Sequence, residues 1–532
     1  MNVYSNTVIN YHRRTKHSLQ QYAQSPASLD WEDQPNAFRT FTGCKLIQFP
    51  ETGAERNVLF ADLAKPRKAE VLSEISVGLL LELAFGLSAW KHYGGDRWAL
   101  RCNPSSGNLH PTEAYLINTN AELLLTGVYH YQVYQHGLEQ RCVFNQPIEN
   151  HGLFIGLSSV HWREAWKYGE RAFRYCQHDI GHALACLRYA AAILGWTIEL
   201  ISECGDTELS TLLGLNRDED FKADEREFAD ILCRIHTGNT TQGYDLDALI
   251  HAAHAGLWQG KAEPLNKHHL YNWTVINDVA QATEKPRTKP IKRQTSPPFS
   301  NTLSVCQQTA THIIRQRRSA QHFNPKAMLT EQAFYTMLAA TLPDKLPFDM
   351  GLLTNNIHLF IFVHRVEGLE AGLYALPRNA EKLSALQTAT SSKFEWQLLS
   401  APLPLYKLIS ANCRNAAKTL SCHQAIASDS AFSLAMVAEF SATVEAAAWH
   451  YRYLFWEAGL IGQVLYLEAE AAGVRGTGIG CYFDDSVHEV LGLMDETFQS
   501  LYHFTVGTPL EDSRLQTLPA YGHLQQGKNQ RQ

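Results

Sequence analysis

Apolar residues at Val71, Leu72, Ile75, Leu79, Leu80, Leu83 and Ala84 recur every three or four positions, which predicts a helix across residues 70–90 with one face turned to a core. Strand-like runs follow at residues 114–117 and 127–131. A long helical run then covers residues 170–194 and stops at Gly195, a residue suited to a left-handed helix end. A shorter helix is expected over residues 206–213, with Asp206 as its cap and Gly214 as its stop. Before all of these, the basic stretch at residues 11–18 reads as the opening of a helix that breaks by Pro26 and Pro35. The order is mixed α and β.

Between the first helix and the first strand lies the polar run Asn103, Pro104, Ser105, Ser106, Gly107, Asn108. Pro104 sets the backbone direction, the serines carry small hydroxyls, Gly107 allows close approach, and Asn108 offers a donor and an acceptor. Those residues suit a planar polar ligand, and they equally suit a capped turn.

The pattern then repeats. A constant shift of 278 positions carries Arg174, Tyr175, Gly181, Leu187 and Gly195 onto Arg452, Tyr453, Gly459, Leu465 and Gly473, and Leu212 to Leu215 onto Val490 to Leu493. A second shift, of 245, pairs Gly127, Val128 and Tyr129 with Gly372, Leu373 and Tyr374. This is a tandem duplication, and such chains usually pack as a pseudo-two-fold dimer within one molecule. The expected division is an N-terminal domain at 1–281, a Pro- and Lys-rich connector at 282–300, and a C-terminal domain at 301–532.

Composition narrows the class. A length of 532 residues exceeds one ordinary core, and 45% hydrophobic with 19% charged residues describes a globular protein. The formal charge of -7 argues against nucleic acid as a partner. Eleven cysteines without a Cys-x-x-Cys pair point to free thiols and a reducing compartment, and no metal site is expected, His251 and His254 lacking further ligands nearby. With neither an export signal nor a membrane-length apolar run, the expected location is the cytoplasm.

The second half holds the candidate chemistry. Arg315, Arg317, Arg318 and Ser319 form a cluster suited to a phosphate, though also to a solvated helix end. Gln463 sits in a helix with small residues on one side, and Gly476, Gly478 and Gly480, the last two flanking Ile479, leave backbone amides open to a flat ring. The glycines do not follow the dinucleotide fingerprint.

Together, Arg317-Arg318-Ser319, the Gln463 helix, the 476–485 segment, residues 504–509 and the Pro-Ser-Ser loop at 104–106 resemble the nitroreductase family of FMN enzymes. The blocks at 166–175 and 512–521 resemble its azoline-dehydrogenase branch, whose members oxidise thiazolines and oxazolines in modified peptides. The resemblance implies an α+β fold, two fused domains each with a mainly antiparallel sheet flanked by helices, and FMN at the interface between them. It implies phosphate contacts from Arg317, Ser319 and Arg514, with Arg318 and Gln321 nearby; Gln321 stands where the family often has a basic residue. By the same resemblance, Pro104, Ser105, Ser106 and Asn108 are expected to border the ring, with Gln463, Gly478, Ile479 and Gly480 near its polar edge. Lys167 and Tyr168 match the branch's acid/base pair.

Under the shift of 278, Gln463 falls on Ala185, Gly476 on Ile198 and Gly478 on Leu200, while residues 348–351 lack the serine pair. One composite site per chain is therefore expected, with the second decayed. The substrate is expected to be a small molecule or modified peptide. NAD(P)H-dependent reduction of nitro compounds or quinones, and a non-catalytic scaffold, are the competing readings.

Overall fold

The computed structural model describes residues 2–50, 52–149, 152–238, 243–290, 304–343, 345–351, 355–399 and 403–524. The chain opens with α1 (Val3–Arg14), then α2 (Glu74–Phe85) and the hairpin β1 (Leu87–Tyr93) and β2 (Asp96–Arg101). The N-terminal sheet uses β3 (Thr112–Asn118), β4 (Gly127–Gln132), β5 (Gly137–Val143) and β6 (Leu153–Ser159), then α3 (His161–Tyr168), α4 (Ala172–Ile193), β7 (Thr197–Leu200), α5 (Asp206–Leu213) and β8 (Phe228–His236). After α6 (Thr274–Ala282) and α7 (Ala310–Gln316), the pattern recurs. It runs through β9 (Ile357–Val363), β10 (Gly372–Leu376), β11 (Tyr406–Ser410), α8 (Arg414–Leu420), β12 (Phe432–Glu439), α9 (His450–Ala471), β13 (Arg475–Ile479), α10 (Asp484–Leu491) and β14 (Phe498–Gly507). A last strand, β15 (Gln516–Leu518), returns to pair with β1.

The two sheets share one order. Strands β5-β4-β3-β6-β8-β7 of the first correspond to β11-β10-β9-β12-β14-β13 of the second, every neighbouring pair antiparallel. The outer face of each sheet has its own apolar cluster, whereas one continuous core joins the inner faces through α4 and α9. The fold is α+β, two halves of one topology packed as a pseudodimer within the chain.

The duplication is visible in the contacts that join the halves. A Cβ on Gly181 would lie 2.2 Å from the Trp456 carbonyl oxygen, and one on Gly459 would lie 2.2 Å from that of His178, so α4 and α9 cross backbone to backbone. Beside them, Arg174 pairs with Asp484 at 2.9 Å and Arg452 with Asp206 at 2.7 Å, the same ion pair twice, related by the shift of 278. Even the segments that cap these aspartates match. His17 donates its N–H to Asp484, and Lys285 donates its N–H to Asp206. Each aspartate's own N–H returns to the carbonyl of its capping residue.

Several local expectations are corrected. The helix expected over 70–90 ends at Phe85, because Gly86 takes an extended conformation and the chain enters β1, so Trp90 is a strand residue. The basic residues from Tyr11 onward close α1 instead of opening a helix. Asp206 is the first residue of α5 and Gly205 its cap, the Asp206 carboxylate being committed to Arg452 and Lys285. Gly476 and Gly478 lie in strand β13. Residues 285–288 of the expected connector are hydrogen-bonded to the N-terminal half, and residues 291–300 lie outside the described residues.

Candidate functional site

The Pro-Ser-Ser loop is built as a rigid turn. Gly107, Asn108 and His110 all adopt left-handed φ values, +60°, +61° and +53°. The Asn108 amide donates to the Ala99 carbonyl at 2.9 Å and contacts the His110 ring at 3.0 Å, while Ser105 Oγ accepts the His110 N–H at 2.8 Å. A Cβ on Gly107 would collide with the Tyr168 hydroxyl at 2.6 Å, so glycine is needed there for contact as well as for conformation.

Two cavities meet at this loop, sharing Pro104, Ser105 and Ser319. The first, about 240 Å³, is basic: Arg317, Arg318, Lys91 and Arg475 line it, with Asn108, Gln321, Glu511 and Asp512. The second, about 260 Å³, is walled by Tyr168, Tyr175, Tyr466 and Tyr502 with Ser106, Asp179, His182, Gly478, Ile479 and Gly480. Each contains residues from both halves.

Arg317 serves two purposes. Its Nε and Nη2 donate to the carbonyls of Cys102 and Arg101, tying the C-terminal half to the base of the loop, and its guanidinium lies 5.1 Å from the Tyr466 ring centre. Arg318 donates to the carbonyls of Arg315 and Ser88. Ser319 Oγ and the Gly478 N–H both bond the Tyr466 hydroxyl, at 2.8 and 2.9 Å, and this phenol clamps the two cofactor-binding candidates together. Gly478 and Gly480 could not carry a Cβ, which would fall 1.9 Å from the Tyr502 hydroxyl and 2.2 Å from the Tyr175 ring.

Other sequence candidates sit elsewhere. Gln463 is fully buried and lines neither cavity; its carbonyl holds the ring of His182, which does line one. The Tyr502 hydroxyl donates to His182 Nε2, leaving Nδ1–H for Gln463. Burial keeps His182 neutral, its pKa down to about 3. Arg514 is 70% exposed and bonded to Asp512. Lys167 lies near the Trp31 and Tyr168 rings, and burial lowers its pKa while raising that of Tyr168.

The site also contains residues the sequence reading passed over. Glu164 accepts from the Ser105 hydroxyl at 3.4 Å and Asp179 from the Ser106 N–H at 3.3 Å, and both carboxylates are buried. Burial raises both, Asp179 to about 8. A signal was present: Tyr175, Asp179 and His182 stand at i, i+4 and i+7 on one face of α4. Lys91 and Arg475 carried no such signal, since a strand hairpin and a distant strand bring them together only in three dimensions.

Asp179 has a consequence for stability. The native protein holds a proton there that the unfolded chain releases above pH 3.8, so stability falls as pH rises from about 4 to about 8. Asp179→Asn should lose that dependence. Thermal melting at pH 5 and pH 8 should show the variant gaining on the wild type at the higher pH; parallel shifts would contradict it.

On the other side of the pseudo-two-fold axis the equivalents are closed. Ile198 and Leu200 are buried in β7, Ala185 is buried in α4, and Asp349 is bonded through both oxygens to Arg188. Among the described residues no group of three or more His, Cys, Asp or Glu could hold a metal, and no helix is long and apolar enough to cross a membrane.

The Nitroreductase family model matches residues 314–508. A nitroreductase candidate from Anabaena variabilis superposes with a TM-score of 0.70 over 95% of this chain and 99% of its own, at 22% identity. Slighter likenesses are found to a Ralstonia eutropha nitroreductase candidate (TM-score 0.28, 15% identity, 41% of this chain and 98% of that one). A chain of the E. coli microcin synthetase McbBCD complex with bound truncated pro-MccB17 gives a TM-score of 0.27, 16% identity, and 45% and 94% coverage. No curated protein matches the chain significantly in sequence. With the family match lying in the C-terminal half and the same fold repeated in both, the chain has a nitroreductase-like fold made of two fused halves.

Proposed function

We propose that the chain binds one FMN in the paired cavities and oxidises an azoline-type heterocycle in a small molecule or modified peptide. The observation that carries this reading is the junction at Ser105 and Ser319, where a basic cavity opens into one walled by tyrosines and backbone amides. The donor set fits the group: guanidinium and ammonium ions suit a phosphate, and close-packed phenols suit a flat ring. Together the cavities reach the range of small-molecule sites, roughly 300–1,000 Å³. Arg317, Arg318, Ser319, Lys91 and Arg475 would hold the phosphate end, and Ser105, Ser106, Tyr175, Gly478 and Gly480 the ring.

When bound, FMN supplies hydride acceptance or donation at N5. The chain's own groups orient the substrate and move protons. Aromatising an azoline also removes a proton, and Lys167 Nζ, its pKa lowered by burial, is the acceptor in this reading. Tyr168, held protonated by burial, donates a hydrogen bond from the cavity wall. That these residues belong to the N-terminal half and the glycines to the other supports one composite site. Asp179, protonated near neutral pH, adds a donor without placing a second negative charge beside the ring.

Lys167→Ala and Tyr168→Phe should keep bound flavin and lose about 100-fold or more in turnover of a thiazoline-containing peptide, assayed in air without nicotinamide. Wild-type turnover that requires NAD(P)H and a nitro or quinone acceptor would favour the reductase reading. Bound flavin that no donor reduces would favour a scaffold.

A further inference from the structure

At the end of β13 the chain turns through Gly480 and Cys481 into α10. The turn that leaves α8 lies against it, passing from Ser421 to Gln424. Cys422 and His423 take left-handed φ values of +52° and +59°, a conformation unfavourable for non-glycine residues. Contacts on both sides hold it there: the Phe483 N–H donates to the Leu420 carbonyl at 2.9 Å, and the Gln424 amide to the Cys481 carbonyl at 3.2 Å. The strained turn brings Cys422 Sγ to 2.6 Å from Cys481 Sγ. Both are partly exposed, and Cys481 and Gln424 line the tyrosine-walled cavity.

The N-terminal arm completes the cluster. His17 Nδ1 accepts the Ala23 N–H at 2.9 Å, which leaves the ring hydrogen on Nε2 to bond Cys481. Burial keeps the ring neutral. The Tyr22 hydroxyl bonds Cys422, and the Tyr22 ring packs on those of His17 and Phe483. The hydrogen bond from Cys422, followed by those from His17, lowers the Cys481 thiol below its usual range, while Cys422 keeps its proton. Burial instead pushes Cys102, Cys142, Cys204 and Cys233 up to about 12. Sulfur reactivity follows thiolate character and access, and an adjacent resolving thiol is the usual arrangement of a redox pair.

We propose that Cys422 and Cys481 are a redox-active dithiol that closes to a disulfide when the protein meets a hydroperoxide, pinning the 421–424 turn across the mouth of the cavity. The Cys481 thiolate attacks one peroxide oxygen; an S–O bond forms, the O–O bond breaks, and hydroxide or alkoxide leaves. The Cys422 sulfur then displaces the hydroxyl from the Cys481 sulfenic acid, forming the S–S bond, and its proton leaves with that hydroxyl as water. Two electrons pass from the sulfurs to the peroxide.

The test uses the full reduced chain, one equivalent of hydrogen peroxide, alkylation with iodoacetamide and non-reducing peptide mass analysis. The expected product is the Cys422 and Cys481 peptides joined, two hydrogens lighter than their sum, with the other cysteines alkylated. In Cys422→Ser, Cys481 should stop at the sulfenic acid and be captured by dimedone. Recovery of both residues alkylated after the peroxide is consumed, or Cys481 advancing to the sulfinic acid in the wild type, would overturn the proposal. Should the serine variant not fold, the wild-type cross-link alone decides. The readout is covalent mass and does not depend on bound flavin.

Discussion

Gly459→Leu is expected to destabilise the fold strongly. At the crossing of α4 and α9 the two backbones touch, and a Cβ at 459 would meet the His178 carbonyl oxygen at 2.2 Å and Gly181 Cα at 2.9 Å. No side chain can move aside, because the obstacle is backbone on a fully buried helix. The helices would have to separate, opening the core that joins the halves and loosening Arg174–Asp484 and Arg452–Asp206 beside it. Overpacking a core usually costs about 1–3 kcal/mol and sometimes more. With both helices displaced, a loss of at least about 3 kcal/mol is expected, read as a fall in the urea midpoint. A change below about 1 kcal/mol would mean that the crossing is looser than the glycine pair indicates. Gly181→Leu should behave alike, since the same contact is made from the other side.

Arg317→Ala should release FMN and loosen the loop that borders it. The guanidinium lines the basic cavity while donating to the carbonyls of Arg101 and Cys102 in the other half. Hydrogen bonds to charged groups are worth about 1.5–3 kcal/mol, so flavin affinity should fall roughly tenfold to a hundredfold. Losing these bonds to buried carbonyls, of which that of Cys102 keeps only the weak Cys186 thiol donor, adds about 1–3 kcal/mol against the native state. Titration of the apoprotein with FMN reads the first effect and thermal melting the second. Unchanged affinity would remove Arg317 from the phosphate site and leave it a tie between the halves.

The part of this architecture that rests on repetition was legible in the sequence. The shift relating Gly181 to Gly459 and Arg174 to Arg452 marks the helix crossing and the paired ions, because backbone contact and buried charge each tolerate few residue types. The Pro-Ser-Ser loop, Ser319 and the glycines were legible as polar or small residues in special places, and they do meet. Periodicity misled where a helix gave way to a strand: the apolar positions of residues 70–90 continue through Gly86 into β1, and only the extended backbone at Gly86 separates the two. The family resemblance puts Gln463 near the polar edge of the ring, whereas the interposed His182 arrives from the other half. Lys91, Arg475 and Glu164 depend on which strand ends and helix faces the pseudodimer brings together, and no local pattern encodes that.

The central claim is a single flavin site made by both halves, and the most direct measurement is the amount and identity of flavin released per chain from the purified protein. The account expects one FMN per chain, with occupancy lowered both by Arg317→Ala in one half and by Ser105→Ala in the other. Two per chain would contradict it, since Leu200 and the Arg188–Asp349 pair occupy the equivalent positions across the pseudo-two-fold axis. None, even after reconstitution with FMN, would remove the oxidative chemistry proposed here.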